Sequence, residues 1–571
     1  MNNPAAMSGK TLSCALLSSF TLDPVTNLVS SRLETIGATC QWFTGPFNQY
    51  PQLILDDQSE LLMANPQVVF LAVAIEDLLE NLPSPWVKAK ERRSEADRRI
   101  ADFLDLIDKL AHRLPAATIF VHDFLPLLPQ SNVIRAEQSG LSMRQLTLEA
   151  NYALEKLAIK LRNLQIVPLN EAFRALPHSA LCDARFLYVG KMRLGRQAVE
   201  ALAEDYSRLL SAFVGFRKKC IVLDLDNTLW GGTLGEDGVE HIQLSDDGPG
   251  KAFQDMQRIL LDFYETGTLL AICSKNDESI AMAALREHPG MLLRPDHFAS
   301  IRINWQNKAA NLREIAAELN LDLNSFVFLD DSELEREEIR RLAPTVTIPD
   351  LPKDPSEYPS FVAQLSYFDA LTTTEDDRRR GQMYIEDRAR RTLAQTSNSL
   401  EDFLKGLQIR VVVRRADRKS IVRLSQLSQR TNQFNLTTRR YTESDILALL
   451  EKQDWRLYGV LVSDRIGSSG VSGAACVEVD IATKTACLDT FLVSCRVLGR
   501  GIESAFLAGI CSELKSAGVE TLVADYIPTE KNRVAKDFLP KHGFQPVDGR
   551  WRLPLDRGQE VCPDWIRLVL N

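Results

Sequence analysis

The chain has 571 residues, 45% hydrophobic and 25% charged, with a net charge of −9 and a pI near 5.5. This is the composition of a globular protein long enough for about three domains. The acidic balance excludes nonspecific nucleic-acid binding, which needs clustered positive charge, and no apolar run reaches membrane-spanning length.

The start, MNNPAAMSGKTLSCALLSSF, lacks the basic region and long apolar stretch of a secretory leader. The ten cysteines show no paired CxxC metal spacing and read as reduced thiols. The expected location is the cytoplasm. TLSCALLSSF, QVVFLAVAI and AATIFVHDF read as buried strands, and ERRSEADRRIADFLDLIDKLAHRL as an amphipathic helix. This is the βαβ rhythm of a doubly wound sheet. A second α/β unit starts at Lys218, with strands KCIVLDLD, TLLAICS, HFASIRI and SFVFLDD. Its helices lie in GKAFQDMQRILLDFYETG, ESIAMAALREH and KAANLREIAAELN, after which the prolines of LPKDPSEYPS break the regularity. TTTEDDRRRGQMYIEDRARRTLAQ reads as a charged linking helix with a solvated arginine face. A third unit, mixed α+β, begins near Leu400. Strands LQIRVVVRR, LYGVLVSDR, GVSGAACVEVD and KTACLDTFLV precede the helix GIESAFLAGICSELKSAG and the strand ETLVADYI. The expected domains are 1–212, 213–372 and 400–571, with the linker over 373–399.

In CIVLDLDNTLWGG a buried strand runs into Asp224, and its carboxyl end is where open α/β sheets build their sites. Asp226 faces the same cleft once the chain turns. One carboxylate can attack phosphorus and the other can move protons to and from oxygen. Two such acids call for a cation, and Mg²⁺ suits carboxylates, water and a substrate phosphate. Ser274 ends its strand and, with Thr228, is a candidate for holding phosphate oxygens. Lys308 opens a helix and can neutralise the phosphoryl group and orient Asp224. Asp330 and Asp331 end SFVFLDD, where an acid can complete the metal site. The expected metal set is therefore Asp224, Asp226, Asp330 and Asp331. Stabilising charge on the transferring phosphoryl is the main task of such a site.

DLDNTLWGGTLGEDG, ICSKND, NWQNKAANL and FLDDSELEREEI closely resemble the FkbH-like proteins, a subfamily of the haloacid dehalogenase superfamily, through more than half the chain. The resemblance implies Asp224 as nucleophile, Asp226 as acid/base and Asp330 as a metal ligand. It also implies a substrate, D-1,3-bisphosphoglycerate, and a product, a D-glyceryl thioester on the phosphopantetheine of an acyl carrier protein, for polyketide or hybrid peptide-polyketide assembly. The alternative is a simple Mg²⁺-dependent phosphatase with binding domains on either side. No large insertion lies between Asp226 and the next helix or between Ser274 and Lys308, so no large cap domain is expected and the site is either open or covered by neighbouring domains.

In SCRVLGRGIESAFL, Arg496, Gly499 and Gly501 match an R/Q-x-x-G-x-G/A turn opening a helix, where backbone N–H groups can meet pyrophosphate. With IPTEKNRVAKDFLPKHGF this resembles the GNAT acyltransferases and implies pantetheine contacts from Arg496, Gly499, Gly501 and Asn532. Cys495, beside Arg496 and a helix N-terminus, is a candidate acyl-accepting thiolate. ALLSSFTLDP resembles the first block of SGNH-type hydrolases, yet no DxxH block appears near LCDARFLYVGKM. Ser18 and Ser19 then lack an activating base, and the domain reads as degenerate, serving docking. The fold class expected is α/β throughout: an SGNH-like domain, a haloacid dehalogenase domain of Rossmann-like form, and a GNAT-like α+β domain.

Overall fold

Uninterrupted apolar runs are stable as strands when parallel neighbours and covering helices bury both faces, and the first two sheets are built this way. A computed structural model of the chain describes residues 10–128, 137–371, 378–397, 399–557 and 562–571. The first nine residues, and 372–377 with the expected boundary at 372/373, lie outside the described residues. Contacts divide the chain into two units, Met1–Val214 and Gly215–Asn571.

The first unit has five strands: β1 (Lys10–Ser18), β2 (Ala38–Thr44), β3 (Val68–Ala72), β4 (Thr118–His122) and β5 (Leu164–Val167). All pair in parallel in the order β2-β1-β3-β4-β5, so the direction of winding switches between β1 and β3. The longer helices are α1 (Asp23–Glu34), α2 (Ala89–Arg113), α3 (Met143–Lys160) and α4 (Arg196–Val214). α2 buries Ile100, Phe103, Ile107 and Leu110 on one face and carries ion pairs from Arg98 to Glu95 and Asp102 on the other, which is the period its sequence dictates.

His122 ends β4 wholly enclosed, with Nε2 2.7 Å from the Tyr206 hydroxyl. Burial pushes its pKa from 6.5 down to about 3. The unfolded chain binds the proton first, so the stability this group contributes is complete above pH 6.5 and is lost as pH falls toward 3. Between pH 7 and pH 5 this costs about 2 kcal/mol. His122→Gln keeps a donor for Tyr206 and removes that slope. Hydrogen exchange of the β4 peptide at the two pH values, corrected for intrinsic rates, checks this. Equal losses in both proteins would assign the slope elsewhere. The comparison also separates His122 from Asp123, whose carboxyl burial pushes up to about 6 and which acts in the opposite direction.

In the second unit, β6 (Cys220–Leu223), β7 (Leu269–Ser274), β8 (Phe298–Ile303) and β9 (Phe326–Leu329) form a parallel sheet in the order β8-β7-β6-β9. Every residue of β6, β7 and β9 is buried. Helices α5 (Gly250–Glu265), α6 (Glu278–Glu287), α7 (Lys308–Leu319) and α8 (Glu333–Leu342) accompany them. Between Asp226 and α5 there is only a one-turn helix, Leu234–Asp237, so no cap domain is inserted at this point. LPKDPSEYPS is more regular than its prolines suggest. It holds the short helix Tyr358–Ala363, with Pro359 in the first turn, where a missing N–H costs nothing.

The linking helix α9 (Arg380–Thr396) lies against β7 and β8. It leads to a sheet of eight strands: β10 (Ile409–Arg415), β11 (Trp455–Ser463), β12 (Ser468–Asp480), β13 (Thr485–Val493), β14 (Thr521–Ala524), β15 (Gln545–Val547), β16 (Arg550–Pro554) and β17 (Ile566–Leu570). The order is β15-β16-β14-β13-β12-β11-β10-β17. β10 through β13 are antiparallel neighbours, whereas β13 and β14 run parallel, joined by the crossover helix α10 (Ile502–Ser516). Phe491, Phe506 and Phe538 stack in the core of this region. The mixed α/β architecture, with parallel sheets in its first two thirds, is the one the sequence leads to. Among the described residues, no helix is long and apolar enough to cross a membrane.

Candidate active site

The second unit changes winding direction between β6 and β9, and open sheets bind ligands at the carboxyl ends on either side of such a switch. Asp224 follows β6 and Asp330 follows β9. Lys308 reaches both, with Nζ 2.8 Å from Asp224 Oδ2 and 2.6 Å from Asp330 Oδ2. Asn307 caps α7 by accepting from the Ala309 and Ala310 N–H groups, which fixes the turn that aims Lys308 inward. Arg336 donates to the Asp330 and Asp331 carbonyls and holds that loop from behind.

One oxygen each from Asp224, Asp330 and Asp331 lies within 4.8 Å of the others. Three carboxylates face one ammonium. Burial and the Asp224 charge push the Asp330 and Asp331 carboxyls above their ordinary range. Burial opposes the charge on Lys308, but the flanking carboxylates outweigh it and raise its pKa. Asp224 Oδ1 is buried with no hydrogen-bond partner. An orphaned carboxylate oxygen amid excess negative charge, in an all-oxygen donor set, fits a hard divalent cation.

Asp226 stands apart from that cluster, which corrects the four-acid metal set read from the sequence. Asn227 takes a left-handed conformation (φ 52°) and turns the chain immediately after it. The Asp226 carboxylate then accepts from Trp230 Nε1 (2.9 Å), Leu234 N–H (3.1 Å) and Asn276 Nδ2 (3.0 Å). Burial nonetheless pushes its carboxyl above the ordinary range, which favours a group that holds a proton. Trp230 and Asn276 sit inside the strings DLDNTLWGG and ICSKND, yet nothing in their spacing announces that they orient Asp226. Ser274 is buried at the end of β7. Thr228 is wholly buried, and its hydroxyl accepts the Asp331 N–H at 3.2 Å.

Removing the proton from this arrangement tests its role. Asp226→Asn lowers turnover by about 10²–10⁴-fold, the range for general acid–base catalysis. Trp230→Phe removes only one orienting hydrogen bond and has a smaller effect, about tenfold. Steady-state phosphate release by the two variants measures the difference. A loss below about tenfold in Asp226→Asn would give the proton transfer to another group.

Cys495 and Arg496 begin a short 3₁₀ turn before α10, and Gly499 and Gly501 both have positive φ, 78° and 83°. A Cβ on Gly501 would lie 2.8 Å from Pro563, whereas one on Gly499 would meet nothing within 4 Å. Gly499 takes a left-handed backbone angle that a side chain would strain. The linking helix is fastened over this turn: Arg390 pairs with Asp464 (2.7 Å) and Asp387 (2.8 Å), and Arg500 with Asp387 (3.0 Å). A cavity of about 290 Å³ lies between them, and Cys495 lines it. Asn532, expected from the sequence to contact pantetheine, is wholly buried and is not among the residues lining this cavity. Its amide is spent on the Thr529 N–H, the Asn435 carbonyl and the Ile527 carbonyl.

In the first unit, Ser19 Oγ donates to Asp77 (2.7 Å) and accepts the Ala74 N–H (3.0 Å), while Asp77 pairs with Arg193. Ser18 bonds locally to Phe20. Among the described residues no histidine hydrogen-bonds to either serine.

No family model matches the chain, and no curated protein matches it. Among solved structures it is similar to the N-terminal part of protein BF1531 from Bacteroides fragilis, which contains a phosphatase domain complexed with Mg. The identity is 26% and the TM-score 0.58, over 64% of this chain and 96% of that one. Parts of the chain are similar to a putative GNAT-family acetyltransferase from Desulfovibrio desulfuricans (18% identity, TM-score 0.20, 25% of this chain and 99% of that one). They are also similar to the ribosomal-protein-S18-alanine N-acetyltransferase of Escherichia coli (16%, 0.20, 25% and 94%). The likeness to a phosphatase-domain protein fits the acid-and-lysine site described above and marks the chain as an enzyme.

Proposed function

We propose that this enzyme moves a three-carbon D-glyceryl unit from D-1,3-bisphosphoglycerate to the phosphopantetheine thiol of an acyl carrier protein, with removal of phosphate, to supply polyketide or peptide-polyketide assembly. The observation that carries the phosphatase half is Lys308 bridging Asp224 and Asp330 at the sheet's switch point, with Asp224 Oδ1 left free. Asp224, Asp330 and Asp331 would hold Mg²⁺. The bound ion would withdraw charge from the phosphoryl oxygens and offset the repulsion among the acids.

Asp224 Oδ1 attacks phosphorus in line, forming an aspartyl phosphate as the P–O bond to the substrate breaks. Asp226, whose carboxyl burial pushes above the ordinary range, gives a proton to the departing oxygen. It then takes a proton from the water that hydrolyses the intermediate. Lys308 neutralises the phosphoryl charge and keeps Asp224 aligned. The absence of a cap leaves room for a substrate presented on a protein arm.

The transfer half rests on Cys495 beside Arg496 in the wall of a half-open cavity. The thiol attacks the carbonyl carbon of the acyl phosphate, a C–S bond forms, the C–O bond to phosphate breaks, and the thiol proton leaves with the phosphate. The thioester then exchanges with the carrier's thiol at little energetic cost. Incubation with bisphosphoglycerate, Mg²⁺ and a holo carrier protein, followed by intact-mass measurement of the carrier, tests the whole reading. A carrier heavier by one glyceryl unit supports it. Phosphate release with an unchanged carrier would leave a phosphatase of another substrate.

A further inference from the structure

Exposed apolar side chains are ordinary one at a time, but several gathered around one site call for a ligand. Three stand on the connections at the carboxyl edge of the phosphatase sheet. Trp305 follows β8, Ile280 lies in the first turn of α6 after β7, and Leu334 lies in the first turn of α8 after β9. The strands are parallel, so these connections leave from the edge that holds Asp224, Asp330 and Lys308. Trp305 is 76% exposed, Leu334 84% and Ile280 41%.

The indole stands on a fixed loop. The Asn304 N–H donates to the Ser274 carbonyl (3.1 Å), which ties the loop to the end of β7. The Asn304 side chain accepts the Gln306 N–H (3.0 Å) and exchanges hydrogen bonds with the Asn311 amide (2.9 and 3.3 Å). Asn307 then caps α7, and the next residue, Lys308, is in the phosphoryl site. A side chain held this way costs little further ordering when a ligand covers it. The cations of this edge are already engaged. Lys308 lies between Asp224 and Asp330, Lys275 pairs with Glu335 at 2.6 Å, and Arg336 donates to the Asp330 and Asp331 carbonyls. The exposed charges at the same helix starts, Asp277, Glu278 and Glu333, are acidic. Lys308 can serve one phosphate, but a second anionic group farther out would meet apolar and acidic side chains.

We propose that Trp305, with Ile280 and Leu334 completing the rim, is the specificity-determining residue of the phosphoryl site and selects a phosphate whose remainder is an extended, uncharged chain. This deepens the phosphatase half of the reading above and rests on it. Strand spacing sets the reach. β6, which runs into Asp224, and β8, which leads to Trp305, are two strand positions apart, about 10 Å. A chain of that length lies against the indole once its phosphate is at Asp224.

Phosphonates test this, because their P–C bond is not hydrolysed and binding is read without turnover. Methylphosphonate, hexylphosphonate and phosphonohexanoate are titrated separately onto the full chain with Mg²⁺, by calorimetry. The unaltered chain should bind hexylphosphonate about tenfold tighter than methylphosphonate, from the apolar area the rim covers. Trp305→Ala should bring that ratio close to one, and Trp305→Phe should keep most of it. The terminal carboxylate of phosphonohexanoate should remove the gain. Trp305 is exposed, so its loss opens no cavity in the fold. A ratio near one in the unaltered chain, or a ratio that Trp305→Ala leaves intact, would overturn the proposal. So would phosphonohexanoate binding as tightly as hexylphosphonate. If methylphosphonate itself does not bind, the phosphatase reading falls and takes the proposal with it. Methylphosphonate bound with no preference for the longer chain sinks the rim alone.

Discussion

Asp224→Asn abolishes phosphate release, by on the order of 10⁴-fold or more, in a chain that still folds. The side chain changes by one atom. Its Oδ2 is the acceptor for Lys308, and the amide oxygen of Asn can take that role. Oδ1 has no partner, so replacing it with an amide nitrogen breaks no hydrogen bond. What disappears is the anionic oxygen that attacks phosphorus and one negative charge of the cluster around it. Lys308 keeps Asp330, so no buried ammonium is stranded. Lys308→Met behaves differently: it leaves two buried carboxylates without their cation and destabilises the fold itself, by about 3–5 kcal/mol. Chelation of divalent ions from the wild-type protein should reproduce the Asp224→Asn loss. Phosphate release with Mg²⁺ present, alongside a thermal unfolding curve, checks both. Undiminished release by folded Asp224→Asn would remove Asp224 as the nucleophile.

The site was legible where chemistry is tied to a strand end. Asp224, Ser274 and Asp330 each follow a run of buried apolar residues, and a parallel sheet sends such ends to one edge. Lys308 was legible because Asn307 is a strong helix cap. The direction of a side chain after a turn is another matter. Asp226 is two residues from Asp224, yet the left-handed Asn227 sends its carboxylate to Trp230 and Asn276 rather than to the cluster. Residue type and spacing carry no record of that rotation. Asn532 shows the same limit: a buried amide takes whichever backbone groups lie unpaired nearby, and these are fixed by distant chain.

Edge strands were harder to read than central ones. In β2, ATCQWFT, exposed and half-exposed residues outnumber buried ones, and in the four residues of β5 only the ends are buried. Each has a single sheet neighbour and lacks the continuous apolar run that marks β3 or β7. The strand pairing of Phe434–Leu436 with Phe491–Val493 was not legible for a related reason. RTNQFNLTTRRY is polar in composition, and it enters the sheet through backbone groups, which every sequence possesses.

Cys495→Ala separates an acyl-enzyme from direct transfer, with an all-or-none readout. With bisphosphoglycerate and no carrier, the wild-type chain should gain the mass of one acyl group and Cys495→Ala none. Cys495 is half-buried in the cavity beside Arg496, within reach of a small anionic substrate. Cys220 and Cys273 are enclosed in the apolar layer of the phosphatase sheet, where burial pushes their thiols well above the usual range. Burial likewise pushes Cys476 up to about 12. A thiol held neutral is a poor nucleophile, so none of these three is an alternative acceptor. Alanine removes one sulfur from a residue already facing a cavity, so the fold should lose little. Intact-mass spectrometry followed by peptide mapping settles the acceptor. Mass gained by the variant would move the acyl group to another thiol, with the half-buried Cys487 the next to map. No gain in either protein, while a holo carrier is still acylated, would mean the acyl phosphate meets the carrier's thiol directly. Cys495 would then be packing in the wall of the cavity.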